Sequence, residues 1–191
     1  MRNVESNFSV NDELTDIQEA TRAHRKSHGC GAYTFEDGTG LINLVQSHKA
    51  VRILELGTAL GFTACCLAKG HESAHVDTIE GDATHVQLAK ELIASVGLAG
   101  RITVHHGMFA DVLANFSPEY DAVFFDGYEP SIAVLNQVRN LLRTGGLMIC
   151  ANTSLAGKLE RREIDGYLNN IDYWVMKMPI ENGKTIVRVK L

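Results

Sequence analysis

The stretch that decides the fold is Ile53–Ala64, which reads ILELGTALGFTA. An apolar run ends at Leu56, and a helix of small residues is predicted to begin near Gly61. Gly57 allows the backbone to turn tightly off a strand, and Gly61 allows the backbone to approach a bound ligand closely. A strand that passes through such a loop into a helix is typical of the ligand-binding βα unit of an α/β protein.

The rest of the chain repeats this alternation of short apolar runs and amphipathic stretches, which predicts βα units and a parallel sheet. The predicted strands are Val51–Leu56, His75–Glu80, Ile102–His106, Tyr120–Asp126, Leu147–Ala151, Tyr173–Met178 and Thr185–Val189. The predicted helices are Asp12–His28, Gly38–His48, Gly61–Lys69, Ala83–Val96, Ser131–Leu142 and Gly157–Asn169. The Asn182-Gly183 pair indicates a hairpin between the last two strands, because both residues tolerate positive φ. We therefore expect a Rossmann-like doubly wound α/β sheet, mostly parallel with an antiparallel C-terminal strand, with helices on both faces.

The chemistry of the glycine loop points to a cofactor with an amino-acid end. Free N–H groups at the start of a helix favour a carboxylate, here the methionine end of S-adenosylmethionine (SAM). Thr63 would add a hydroxyl donor, and Glu55 would attract the ligand's ammonium group. Glu80 ends the second strand 19 positions beyond Gly61, where an acidic residue accepts hydrogen bonds from ribose hydroxyls.

Further candidates follow the third and fourth predicted strands, at the carboxyl edge where open α/β sheets bind ligands. Met108 and Phe109 are expected to flank an adenine, and Asp126 ends a very apolar strand. The predicted cofactor-binding residues are Glu55, Gly57, Thr58, Gly61, Thr63, Glu80, Gly107, Met108, Phe109 and Asp126. A dinucleotide is the competing ligand, but Ala59 stands where the G-x-G-x-x-G pattern requires its second glycine.

These motifs resemble the class I SAM-dependent methyltransferases, and more narrowly the catechol and caffeoyl-CoA O-methyltransferase-like family. The resemblance runs from Phe35 to Leu191, and five segments carry it: Glu36–Ile42, Ile53–Ala64, Thr78–Leu98, Tyr120–Pro130 and Leu141–Ser154. It implies SAM as cofactor, a small-molecule acceptor that is methylated at a hydroxyl oxygen, and a homodimer in contact through the N-terminal helices. N- or S-methylation, and a SAM-binding partner protein without activity, are the alternatives.

The sequence departs from that family where its metal is held. The family binds a divalent cation through an Asp after strand four and an Asp-Asn pair after strand five. Asp126 and Asn152 match two of these ligands, but Ala151 stands where the second carboxylate is expected. One carboxylate and one amide form a poor site for Mg²⁺, which favours carboxylate oxygens. The family's catalytic lysine is replaced by Glu129.

Without metal or lysine, the predicted catalytic residues are Asp126, Glu129 and Tyr128, with a carboxylate of raised pKa as general base. His24 and His28 continue the apolar stripe of the first helix, and with Cys30 they have metal-ligand spacing. The alternative is that both histidines are partly buried structural residues near a helix C-terminus.

Composition limits the partners that we expect. The chain has 191 residues and a formal net charge of −5, which disfavours binding to nucleic acid. It has neither an apolar leader nor a run of about 20 apolar residues that would span a membrane, and its four cysteines fit free thiols. We therefore predict a cytoplasmic protein with no membrane partner. Residues 1–191 are expected to form a single domain, in which the helices of 1–50 cover the active site and 51–191 form the Rossmann-like core.

Overall fold

A computed structural model describes residues 12–32, 34–128 and 130–191 of the chain. The strands are β1 (Arg52–Leu56), β2 (His75–Glu80), β3 (Ile102–His106), β4 (Tyr120–Phe125), β5 (Leu142–Cys150), β6 (Trp174–Met176) and β7 (Ile186–Lys190). The helices are α1 (Asp12–His28), α2 (Gly38–His48), α3 (Phe62–Lys69), α4 (Ala83–Ser95), α5 (Phe109–Leu113), α6 (Ile132–Leu141) and α7 (Lys158–Leu168). The strands form one sheet in the order β3-β2-β1-β4-β5-β7-β6.

Helices cover both faces of this sheet because alternate residues of its central strands are buried in two separate cores. Ile53 of β1 and Phe124 of β4 belong to the core that α1–α4 cover. Leu54 and Phe125, their neighbours in sequence, belong to the core under α5–α7. Successive side chains of a strand point to opposite faces, so a strand buried on both faces must be apolar throughout. All six residues of β4 are buried accordingly.

The strand order places a topological switch point beside β1. This strand pairs in parallel with β2 on one side and with β4 on the other. The connections that leave β1 and β4 therefore diverge, and a crevice opens at the carboxyl ends of these two strands, where doubly wound folds bind ligands.

The C-terminal hairpin forms as predicted, and its place in the sheet makes the sheet mixed. β7 runs antiparallel to β5 and to β6, and it lies between them. Asn182 (φ 54°) and Gly183 (φ 88°) both adopt the positive φ that the turn requires. The expected fold class, a mostly parallel Rossmann-like sheet with an antiparallel C-terminal strand, is confirmed.

Several predicted bounds were wrong. β5 begins at Leu142 rather than Leu147, since Tyr120 of β4 already pairs with Leu142. β6 is confined to Trp174–Met176 because it lies at the edge of the sheet and pairs only with β7. The five-residue helix α5 was not predicted at all. Its sequence is too short to show a helical period and had been assigned to a ligand loop.

The N-terminal helices are joined to the core by specific hydrogen bonds. The Asp37 carboxylate caps α2 by accepting from the N–H of Gly40 at 2.9 Å. Its other oxygen accepts from the N–H of Glu181, 144 residues away, at 3.0 Å. Among the described residues, no helix has the length and apolar character needed to cross a membrane.

Candidate active site

A cavity of about 420 Å³ opens at the carboxyl ends of β1, β2, β4 and β5. Eight of the residues singled out from sequence lie on its wall: Gly57, Glu80, Gly107, Met108, Phe109, Asp126, Tyr128 and Asn152. They come from loops separated by as many as 95 positions, so the parallel sheet is what brings them together.

The glycine loop is shaped by the two positions that the sequence indicated. Gly57 has a φ of 96°, and a Cβ there would lie 3.0 Å from the backbone of Gly127. Gly61 has a φ of 93° and is the N-cap of α3. A side chain at Gly57 would thus press the two loops apart, whereas Gly61 is required for its left-handed backbone at the start of the helix.

Glu80 is held in place by backbone groups of the loops that follow β1 and β2. One carboxylate oxygen accepts from the N–H of Ala59 at 2.8 Å, and the other accepts from the N–H of Asp82 at 3.0 Å. The side chain lies on the cavity wall and is 14% exposed. Each oxygen keeps a free lone pair, so the carboxylate can still accept hydrogen bonds from two hydroxyls of a ligand.

A smaller cavity of about 20 Å³ extends from the glycine loop toward α1 and is lined by Thr34, Thr58, Thr63 and Asp126, among others. The buried hydroxyl of Thr34 has no hydrogen-bond partner among the described residues. No side chain caps the adjoining N-terminus of α3. Unpaired donors of this kind suit a carboxylate. Thr34 was missed from sequence, because nothing near it marks it as part of a site.

Glu55 does not reach either cavity. It is fully buried, and its carboxyl accepts a hydrogen bond of 2.5 Å from the hydroxyl of Thr78, which is 2.6 Å from that of Thr58. Burial raises the pKa of Glu55 to about 8, although hydrogen bonds from Thr63 and Thr78 lower it. The sequence suggested that Glu55 contacts a ligand's ammonium group, but in this geometry Glu55 has no direct access to a ligand. Glu55 instead connects β1 to β2 under the loop.

The wall beyond Glu80 is apolar. Phe109 packs so closely over Gly127 that a Cβ at Gly127 would overlap its ring. Met108 lies at the mouth with 69% of its surface exposed. Gly107 adopts a φ of 155°, which turns the chain from β3 into α5. The two side chains leave a slot whose chemistry suits the flat face of an aromatic ring. Gly127 belongs to this wall and was not singled out from sequence.

Asp126 is a partly buried ionisable group that lines both cavities. Burial raises its pKa well above the usual range, and the carboxyls of Glu55 and Glu181 raise it further. The side-chain N–H₂ of Asn152 donates to the Asp126 carboxylate at 2.5 Å and to its backbone carbonyl at 3.0 Å. A raised pKa and an accessible position are the properties of a general base that works near neutral pH.

The same two residues do not fit the divalent metal of the family that the sequence resembles. Asn152 turns a hydrogen-bond donor toward the carboxylate, where a cation requires an oxygen ligand. Ala151 is buried and places a methyl group where the second carboxylate would stand. The described residues thus provide one carboxylate, so no step of the chemistry is assigned to Mg²⁺ at Asp126.

Of the other two predicted catalytic residues, the structure describes Tyr128 alone. Tyr128 lines the cavity but is 73% exposed. Glu129 lies outside the described residues. Its assignment as a base therefore stays a prediction.

His85 and Cys30 line another side of the cavity and belong to a larger group of possible metal ligands. His24 and His28 of α1, Cys30 of the following loop and His85 of α4 have ligand-type atoms within 4.8 Å of one another. Burial lowers the pKa of His24, and the neighbouring His85 and His28 lower it further. Sequence spacing indicated the first three residues. His85 was missed because its place is set by packing of α4, 57 residues after α1 ends.

Fold and site together define a Rossmann-like protein whose crevice lies between a glycine loop and the acidic residue Glu80. A family model described as O-methyltransferase matches residues 6–179, which is most of the chain. The chain therefore belongs to the O-methyltransferase family.

Curated relatives agree with this assignment. The chain is 31% identical over 147 residues to a Mycobacterium sp. (strain KMS) sequence named for the O-methyltransferases, a match that covers 74% of this chain and 66% of the relative. It is 30% identical over 129 residues to the catechol O-methyltransferase of Mycobacterium tuberculosis (strain ATCC 25618 / H37Rv), covering 66% of this chain and 59% of that protein. The chain thus spans slightly less than two thirds of the length of these relatives.

The fold also matches solved structures. The O-methyltransferase from Bacillus cereus, solved in complex with S-adenosylhomocysteine (SAH), superposes with a TM-score of 0.79 at 20% identity, over 97% of this chain and 94% of that one. At this identity the match supports the architecture alone.

Proposed function

We propose that this protein is a SAM-dependent methyltransferase that methylates a hydroxyl oxygen of a small molecule. The observation that carries the proposal is the fixed Glu80 carboxylate opposite the glycine loop, in a chain of the O-methyltransferase family. The protein of known structure from Bacillus cereus binds SAH, the product of SAM after methyl transfer.

The residues on the two cavity walls fit each part of SAM. The unpaired Thr34 hydroxyl and the uncapped start of α3 supply donors for the methionine carboxylate, and Thr63, whose hydroxyl bonds Glu55, lines the same cavity. Glu80 accepts from the ribose hydroxyls, and Phe109 with Met108 flanks the adenine. The ammonium group lies nearest Asp126, the acid that lines both cavities, rather than Glu55.

SAM supplies a methyl group on a positively charged sulfur, so the protein has to hold the acceptor in line with it and remove the acceptor's proton. Asp126 accepts this proton, because burial raises its pKa and so makes it a stronger base than an ordinary carboxylate. Asn152 holds the carboxylate in position with one hydrogen bond to it and a second to the backbone carbonyl of Asp126. Tyr128 and Leu155 lie on the open side of the cavity, where a small acceptor would enter.

A second candidate is a SAM-binding partner protein without turnover. Ala151 favours it, because the family's second acidic ligand is absent there. Turnover on a panel of phenols, alcohols, amines and thiols distinguishes this candidate from an enzyme, and also separates O- from N- and S-methylation. A cytoplasmic location, a homodimer and a single domain whose first 50 residues cover the site complete the proposal.

Glu80→Ala tests the cofactor site directly. We expect SAM and SAH to bind about 100-fold more weakly, because hydrogen bonds to a charged acceptor contribute about 1.5–3 kcal/mol each. Isothermal titration of SAH measures the change, and Glu72→Ala, at an exposed glutamate outside the cavity, is the matched control. Equal affinity in the two variants, or no SAH binding by the wild type, contradicts the proposal.

A further inference from the structure

Four side chains beside the cofactor cavity form a cluster that the proposed methyl transfer does not use. His24 and His28 come from α1, Cys30 follows two residues after that helix, and His85 lies in the first turn of α4. Their ring nitrogens and sulfur lie within 4.8 Å of one another. We call this set the His₃Cys cluster.

The imidazole rings of the cluster lie against one another. The rings of His24 and His28 stack with centroids 4.8 Å apart, and His85 meets the His24 ring edge-on at 5.1 Å. The Nε2 atoms of His24 and His85 are both buried, and neither has a hydrogen-bond partner among the described residues. Buried polar atoms in folded proteins are nearly always paired, so two unpaired nitrogens in one cluster indicate that a ligand belongs there.

The donor set identifies the class of ligand. Three imidazole nitrogens and one thiolate are borderline-soft donors that suit Zn²⁺, and four of them complete its tetrahedral coordination. Hard cations such as Mg²⁺ bind carboxylate and water oxygens instead. Ligand atoms of a tetrahedral zinc site are about 3.3–3.6 Å apart, given Zn–N and Zn–S bonds of about 2.0–2.3 Å. Small side-chain rotations therefore close the cluster around an ion.

The surroundings of His85 include a carboxylate near its other ring nitrogen. Its Nδ1 lies 3.7 Å from a carboxylate oxygen of Glu80, which is somewhat longer than a hydrogen bond. A small approach of the two groups would give the hydrogen bond by which carboxylates orient metal-binding imidazoles and fix which nitrogen faces the metal. His85 is also held by its backbone N–H, which donates to the capping carboxylate of Asp82 at 3.1 Å. His85 of α4 is thus held in position before a metal binds, and His24 and His28 approach it from α1.

We propose that His24, His28, Cys30 and His85 form a four-ligand Zn²⁺ site that fastens the α1–α2 connection to α4. The site is distinct from Asp126 and Asn152, and with four protein ligands it leaves no open position for a substrate. Its role is structural, because it ties together segments separated by more than 50 residues of sequence.

The position of the site predicts an effect on the cofactor, a point that rests on the proposed function. Cys30 and His85 line the cavity together with Gly31 and Ala32 of the α1–α2 connection. Cys30 lies between Gly29, with a φ of 67°, and Gly31, so the backbone around it is intrinsically permissive. Zinc would fix this wall of the cavity. Because coupling between two sites is reciprocal, zinc and SAH should each tighten the binding of the other.

The test uses the full-length chain without a histidine tag. Mass spectrometry of metals on protein purified without added chelator should give one zinc per chain. Replacement by Co²⁺ should give the strong visible bands of a tetrahedral ion and a near-ultraviolet thiolate-to-cobalt band. Cys30→Ser should abolish the thiolate band, and His85→Ala should weaken Zn²⁺ binding at least 100-fold. His75→Ala, at an exposed histidine of β2, is the matched control and should bind zinc like the wild type.

Zinc binding is measured without SAM, so its outcome is independent of the proposed function. A wild type without stoichiometric zinc, an octahedral Co²⁺ spectrum, or a Cys30→Ser protein that retains the thiolate band overturns the site. Circular dichroism of each variant checks the fold. SAH titration with and without zinc then tests the coupling, for which we expect about tenfold tighter binding in the zinc form. Equal affinities overturn the coupling.

Discussion

The two halves of the cavity differ in how their polar groups are held. On the side of β1 and β2, the Glu80 carboxylate is fixed by the backbone N–H groups of Ala59 and Asp82. On the side of β4 and β5, Asp126 and Asn152 are joined side chain to side chain, and Tyr128 is exposed. Backbone N–H groups do not depend on which side chains the loops carry. They hold the Glu80 carboxylate in one position, so this half of the cavity is preorganised for one ligand. In the second half the polar groups belong to side chains, so a substitution there changes them directly. This is the half in which members of one family can differ in the substrate that they accept.

The largest effect is expected in the β4–β5 half. Asp126→Asn removes the proposed base and should lower kcat by about 10²–10⁴-fold, the usual contribution of a general base. Burial raises the pKa of Asp126. The pH at which wild-type turnover reaches half of its maximum should therefore be higher than for an ordinary carboxylate. The variant should lose this dependence.

A pH–rate profile under saturating SAM measures both effects. Asp165→Asn, at a partly exposed residue of α7, is the control and should keep the wild-type profile. An Asp126→Asn enzyme with full kcat would assign the base to another residue of this half.

The next effect concerns the close contact between the halves. In Gly57→Ala, the new Cβ would lie 3.0 Å from the Gly127 backbone, at a φ of 96°. We expect a loss of about 2–4 kcal/mol in the free energy of unfolding, from the left-handed backbone and the crowding together, and weaker SAH binding. Gly145→Ala is the matched control, since Gly145 has a φ of 80° but nothing within 4 Å of its Cβ.

Gly145→Ala should cost only about 1–2 kcal/mol and leave SAH binding unchanged. Urea denaturation of both variants gives the comparison. Equal losses of unfolding free energy in the two variants would mean that crowding against Gly127 does not contribute to the cost of a side chain at Gly57.

An effect of pH on stability follows from the buried Glu55 beneath the β1–β2 half. Its pKa is about 8 in the folded protein against an ordinary value of 4.5, because burial disfavours the charged form. Between these values the unfolded chain has lost the proton that the folded protein keeps. Stability attributable to Glu55 is therefore full below pH 4.5 and falls as pH rises toward 8, by at most about 1.4 kcal/mol per pH unit.

Glu55→Gln should remove this slope, so that stability from pH 5 to 8 becomes flatter than in the wild type. Urea denaturation across that range measures it, with Glu91→Gln on exposed α4 surface as the control. An unchanged slope would show that Glu55 is ionised when folded.

The smallest effect is a gain. Ala151→Asp restores the second carboxylate beside Asp126, and we expect Mg²⁺ to bind about tenfold more tightly than to the wild type. Titration with Mg²⁺ measures it, and Ala156→Asp, outside the cavity, is the control. A wild type whose turnover requires Mg²⁺ would contradict the account of the β4–β5 half.

Sequence reasoning succeeded where a residue's role depends on its neighbours in the chain. The glycine loop, Glu80 and the Asn182-Gly183 turn were found because strand ends, helix starts and positive φ values leave local signals. It failed for Thr34 and His85, whose places depend on how α1 and α4 pack. Glu55 shows the same limit, because a ligand-facing and a buried glutamate look alike at the end of a strand.

The sequence by itself determined the order of the strands and of the helices other than α5, the glycine loop and the family, because hydrophobic period and turn chemistry act over a few residues. The tertiary structure decided which side chains meet. It inserted β7 between β5 and β6, turned Asn152 toward Asp126, and brought His85 to His24, His28 and Cys30. Such contacts join distant segments, and they form only when helices pack on a twisted sheet, which no local pattern specifies.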